Sequence, residues 1–193
     1  MYGASIRPCK YNNITENKIY LNENDGIYNN FSHNTTITRN IISNNKNGIN
    51  FLRSCGNKII NNNISSNNLT GIYIENNCYE NTIYHNNLVN NTLNAYDDGQ
   101  RSNWDDGTYG NYWDDYKERY PKAHKKPLKG IWDTPYEIPP EGSDMHFTDD
   151  FPLINQWPKS KDITNNRLIS SSLLLRVLER YPFMQYIMQR FGL

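Results

Sequence analysis

The sequence predicts an all-β fold: a right-handed single-stranded parallel β-helix, a solenoid, with a C-terminal aromatic cap and a short helical tail. Three observations predict it. The pattern Asn-x-Ile-x-x-Asn-x-Ile, then a polar stretch, then Gly-Ile, recurs with small departures, and its first isoleucines, Ile14, Ile37, Ile59 and Ile83, fall 23, 22 and 24 residues apart. Asparagine supplies 27 of the 83 residues from Asn12 to Asn94. Near Asp97 the composition switches from Asn and Ile to Trp, Tyr, Asp and Pro. An unstructured Asn-rich tract would share the second observation, but it would not hold apolar columns in register over four copies.

The elements follow in order. Gly3, Ala4 and Ile6 fit the tail of an incomplete first copy. In each full copy the first isoleucine is followed three residues later by Asn17, Asn40, Asn62 or Asn86, and two further on by Ile19, Ile42, Ile64 or Leu88. Ile-x-x-Asn-x-Ile cannot be one strand with strict alternation, so it reads as two short strands joined by a bend at Asn, which tolerates left-handed backbone. Gly26, Gly48 and Gly71, with Asn94 in the last copy, precede Ile27, Ile49, Ile72 and Ala95, and the glycine is expected to supply positive φ at another corner. One copy buries too little to be stable alone. Stacked about 4.8 Å apart, the copies align their isoleucines into a core and their asparagines into amide ladders.

The coils are expected over residues 1–97, a cap over 98–157 and an amphipathic helical tail over 158–193. A solenoid end exposes strand edges and an apolar cross-section, and an aromatic cap would cover both. Only a partial coil precedes Tyr11, so the first coil is expected to be exposed, paired, or preceded by further coils of a longer protein. In the tail, Leu168, Ile169, Leu173, Leu174, Leu175, Val177 and Leu178 precede Pro182, and Phe183, Met184, Tyr186, Ile187, Met188 and Phe191 follow it. This suggests two short helices, docked on the solenoid or offering a membrane-surface or oligomer contact.

Composition narrows the function classes. Twenty basic and twenty acidic side chains give a formal net charge of zero, so no global field recruits nucleic acid. Three cysteines preclude a fully paired disulfide framework within one chain. Met1 to Lys10 lacks the apolar stretch of a signal peptide, and no apolar run is long enough to span a membrane.

Beyond the coils come Asn103-Trp104-Asp105, Gly110-Asn111-Tyr112-Trp113-Asp114-Asp115-Tyr116, Asp133-Thr134-Pro135-Tyr136 and Asp150-Phe151-Pro152-Leu153. The repeat followed by these four motifs resembles the NosD family, periplasmic copper-accessory proteins of nitrous oxide reductase, and the related carbohydrate-binding and sugar-hydrolase repeats. The likeness covers residues 3 to about 154. Many relatives carry an acidic Asp-x-Asp-Gly-Asp-Gly stretch before Asp-Thr-Pro-Tyr. Here Tyr120 to Trp132 is Pro-containing and basic, which argues against a calcium loop. The resemblance implies copper as a cofactor and an extracellular, cell-surface or periplasmic location.

Register turns spacing into candidate sites. The position seven after each glycine gives Lys10, His33, Cys55 and Cys78. Two thiols and an imidazole are soft ligands suited to copper or zinc; the same cysteines read equally as packed small side chains or as a disulfide pair. Glu16 and Arg39 are placed to pair across coils. Glu75 and Asp98, four after Gly71 and Asn94, fall on neighbouring coils about 5 Å apart, a retaining glycosidase's spacing. Trp104, Tyr112, Trp113, Tyr116 and Trp132, interleaved with aspartates, read either as a sugar-binding surface or as the cap's own core. The basic run Lys117 to Lys129 reads as a solvated loop. These features favour a non-catalytic cell-surface or envelope module that binds carbohydrate, as a polysaccharide, or an envelope protein partner. The alternatives are a polysaccharide hydrolase or lyase, and a copper-binding accessory protein as the resemblance implies.

Overall fold

The computed structural model describes residues 1–140 and 147–158, and the chain through Trp157 forms one compact unit. The expected helical tail lies, from residue 159, outside the described residues.

The coils build three parallel faces. The first stacks Ala4–Ile6, Ile27–Asn30, Ile49–Leu52, Thr70–Ile74 and Leu93–Asp97. The second stacks Asn13–Thr15, Thr36–Thr38, Lys58–Ile60 and Thr82–Tyr84. The third stacks Lys18–Tyr20, Ile41–Ser43, Asn63–Ser65, Asn87–Val89 and Tyr112–Trp113. The predicted columns pair residue for residue. Ile14, Ile37, Ile59 and Ile83 are register partners in turn, as are Ile19, Ile42, Ile64, Leu88 and then Trp113. From Ile27 onward these isoleucines are fully buried. Each contributes roughly 1.5–3 kcal/mol of transfer free energy, so a core of such columns depends on having neighbours. The chain is thus the expected parallel β-solenoid. Its only described helix is the single turn Tyr116–Arg119.

Two local expectations are overturned. Positive φ falls not on the repeating Asn but on the residue before it: Glu16, Arg39, Asn61 and His85, at 59°, 56°, 60° and 59°. The repeating Asn side chain is needed elsewhere. The Asn40 backbone N–H and its Nδ2 both donate to Asn62 Oδ1, at 2.9 and 3.0 Å, and Asn62 repeats the pattern onto Asn86 at 2.9 and 3.0 Å. The amide thus fills the corner's interior, and its neighbour absorbs the left-handed turn at a cost of about 1–2 kcal/mol. Nor do Gly26, Gly48 and Gly71 have positive φ; that conformation belongs to Gly56, Gly107 and Gly130. The glycine column exists for close approach: a Cβ on Gly26 would stand 2.7 Å from the Gly48 carbonyl and 2.9 Å from Ile42 Cγ2.

Beyond Asp97 the motifs interlock. Asn111 extends the corner ladder by accepting the Asn86 N–H and Nδ2 at 3.1 and 3.0 Å. The Asn111 N–H then donates to the Asp149 carboxylate at 2.6 Å, and Trp113 Nε1 donates to the same oxygen at 2.8 Å. Gly110 carries no side chain because its Cβ would overlap that carboxylate. Trp113 stacks on Tyr136, with ring centroids 3.9 Å apart, and the Tyr136 hydroxyl donates to Asp115 at 2.9 Å.

Candidate functional site

The outward residues of the first face form the most distinctive surface. Two residues after each column glycine come Tyr28, Asn50, Tyr73 and, after Asn94, Tyr96, and these are register partners in that order. The three tyrosines are half-buried. Tyr73 and Tyr96 stack with centroids 5.1 Å apart. Tyr28 stacks on Tyr2 at 4.9 Å, with the Arg7 guanidinium 5.7 Å from the Tyr28 centroid. Burial, first among several causes, raises both the Tyr28 and Tyr73 phenols above their ordinary range.

Carboxylates edge the row. Asp25 is buried, and its two oxygens accept Asn47 Nδ2 at 2.7 Å and Asn50 Nδ2 at 3.1 Å. Glu75 is half-buried, and its carboxyl is raised by burial and then by Asp25, against Arg53 and a hydrogen bond from Asn50 that lower it. Sequence reasoning paired Glu75 with Asp98. Asp98 does follow on the next coil, its N–H donating to the Ile74 carbonyl at 2.9 Å, but it is exposed, and the acid that acts on Glu75 is Asp25. Tyr28, Asn50, Tyr73, Tyr96 and Asp25 were missed, although the two-after-glycine position shows aromatics in three of four copies.

Of the two readings of the aromatic residues beyond the coils, sugar-binding surface or packed core, burial favours the core. Trp104, Trp113, Tyr116 and Trp132 are buried, and only Tyr112 is partly exposed. Their faces are used internally: Tyr116 stacks on Trp132 at 4.9 Å, and Trp104 Nε1 donates to buried Asp97 at 2.9 Å. These rings pack as core because each buries too much area to be left at a surface among so few other apolar residues.

The expected cysteine column is corrected. An extra residue in the Glu75 to Asn77 turn shifts Cys78 by one position. Its sulfur accepts the Ser54 N–H at 3.4 Å and donates to the Phe51 carbonyl at 3.4 Å, in the buried interior. Burial pushes this thiol up to about 12, far from the thiolate a metal needs. Cys55 is half-buried and aligned with Tyr79, whose carbonyl accepts the N–H of Gly56. The Cys55 N–H donates to His33 Nδ1 at 3.1 Å, which occupies that nitrogen's lone pair. All three cysteines are free thiols. Among the described residues no group of three or more His, Cys, Asp or Glu side chains is arranged to hold a metal ion.

A family model described as periplasmic copper-binding protein (NosD) matches residues 2–118, which takes in all the coils and the Gly110 to Tyr116 motif. No curated protein and no solved structure matches the chain. The thiols and imidazole described above do not fit the copper in that family description. No helix among the described residues is long and apolar enough to cross a membrane.

Proposed function

The chain belongs to the NosD family, and from that premise we propose that it is a non-catalytic envelope module, periplasmic or at the cell surface, that binds carbohydrate along its first face. The observation that carries this reading is the row Tyr28, Asn50, Tyr73, Tyr96. Register fixes four outward side chains at one per coil, so a polymer lying along the solenoid axis meets a repeating set of contacts. The strands beneath are paired within one stacked sheet, which favours a low ordering cost of binding. Phenol hydroxyls, Asn50 and the carboxylates supply donors and acceptors for sugar hydroxyls, and the ring edges and faces supply apolar contact for sugar C–H groups. The acids support binding rather than catalysis: Asp25 has both oxygens committed to asparagine amides.

A glycan array followed by titration tests this. Tyr73→Ala and Tyr96→Ala are expected to weaken binding to the array's best ligand at least tenfold, about 1.4 kcal/mol. Tyr20→Ala, on the third face, should leave it unchanged. Equal affinities for all three variants and the parent would remove the first face as the site. Release of reducing ends from the bound polymer would replace the binding reading with an enzymatic one.

A further inference from the structure

The tyrosine row has a gap. Tyr28 stacks on Tyr2 and Tyr73 stacks on Tyr96, but the coil between them carries Asn50, so the stack is missing one rung. Tyr73 therefore turns its unstacked face toward Tyr28 across Asn50. On Tyr28 the two contacts that are made, Tyr2 and Arg7, come from the preceding coil, on the far side from Asn50. The strands that carry the two rings are two coil rises apart, about 9.6 Å. A flat ring in contact with both faces at about 3.7 Å fills roughly 7.4 Å and leaves a void. A puckered pyranose chair, thicker by its axial C–H bonds, fits better.

The floor of the gap is polar and acidic. Asn50 is 9% exposed, and its Oδ1 has no hydrogen-bond partner. Asp25 lies on one side, bonded to Asn50 Nδ2, and Glu75 lies on the other. The nearby cations are Arg53, exposed at the next corner with its guanidinium 5.0 Å from the Phe31 ring centroid, and Arg7, exposed on the far face of Tyr28. The carboxylates border the gap itself, whereas both guanidiniums lie outside it. Two aromatic faces add their own attraction for a cation.

We propose that this missing rung is a binding slot for one protonated amino-sugar unit of a polysaccharide. Its ring lies between Tyr28 and Tyr73 and its ammonium lies against Glu75, with buried Asp25 behind Asn50. The assignment rests on the carbohydrate reading above and names the class of sugar.

Calorimetric titration of the full chain at pH 6 tests it, with three β-1,4 tetramers as probes: glucosamine, N-acetylglucosamine and glucose. The parent is expected to bind the glucosamine tetramer at least tenfold more tightly than the other two. Asn50→Tyr, which completes the tyrosine stack and fills the slot, should abolish binding while its thermal melt stays cooperative. Glu75→Gln, a change at a half-buried edge, should weaken binding of the charged tetramer about tenfold without affecting the neutral ones, which keeps the test standing if Asn50→Tyr folds poorly. Equal affinity for all three tetramers, or undiminished binding in Asn50→Tyr, would overturn the slot and leave the carbohydrate reading intact. Binding of none of the three would also overturn the slot, and the glycan array then decides the broader reading by itself.

Discussion

The coils and the aromatic segment beyond Asp97 solve the same problem in different ways. Inside the coils the buried corner asparagines are completed by the same residue type one coil on. Asn40 hands its N–H to Asn62, Asn62 to Asn86, and along a second corner Asn45 hands its own to Asn67 and Asn67 to Asn91. A scheme of this kind has no natural end. The last amide in each ladder still points a donor forward, and no further coil receives it. In the aromatic segment a carboxylate ends the first ladder, where Asp149 receives the Asn111 N–H; at the second, Asn91 Nδ2 donates to Asn94 Oδ1 at 3.1 Å, and Asn94 Nδ2 in turn donates to Asp114 and Asp115, both at 2.9 Å. Repetition lets one short pattern build most of the molecule, and the ending requires residues that appear once.

The comparison predicts where damage is greatest. Ile42→Asp places an unpaired charge in the middle of a continuous column, with Ile19 and Ile64 as its neighbours. It should cost more than about 4 kcal/mol and abolish the cooperative urea transition seen by circular dichroism. A transition like the parent's would contradict the stacked core.

Next in size is the ladder. Asn62→Ala leaves the Asn40 N–H without its acceptor and the Ile37 carbonyl without its donor, both buried, and should cost about 2–4 kcal/mol. Asn17→Ala, at the exposed first rung, should cost under about 1 kcal/mol. Equal costs would mean that the ladder's value does not depend on burial.

The ending has its own pH signature. Burial pushes Asp149 up to about 7, against the pull of Asn111, Trp113 and Phe151. An unfolded aspartate titrates near 3.9, so the folded chain holds this proton more tightly. Asp149 therefore supports folding fully below about pH 4, and that support is lost as the pH rises through about 7. The parent's melting temperature, measured against Asp149→Asn at each pH, should fall between pH 4 and 7 and level off above. A difference that grows with pH would show the carboxylate to be ionised and stabilising.

The smallest effect belongs to the coil surface. Arg39 Nε lies 2.9 Å from Glu16 Oε1, with the two side chains 44% and 60% exposed. A double-mutant cycle through Glu16→Gln and Arg39→Gln should give at most about 1 kcal/mol, screened by salt.

This division also explains what could be read in advance. The isoleucine columns, the asparagine ladders and the Glu16–Arg39 pair all follow from spacing, because in a solenoid spacing is spatial position. The reading failed where one residue broke the period, as at the turn that moves Cys78 inward, whereas the burial expected of Trp104 and Trp113 is found. It also failed for the glycines, since a sequence does not separate positive φ from close approach. The first-face row was legible as a column, but acid pairs drew the search away from Tyr28, Asn50 and Tyr73. That Asp149 would meet Asn111 was not legible, because the two are 38 residues apart and share no periodic relation.

The central claim is that the aromatic segment completes the coils by ending their ladders. Hydrogen exchange by mass spectrometry on Asp149→Ala tests it most directly, because a stacked array frays from the end that loses its partner. Protection should fall first in peptides spanning 103–113 and then 81–97, while those spanning 36–65 keep the parent's protection. Uniform loss along all coils, or unchanged exchange in 103–113, would contradict the claim.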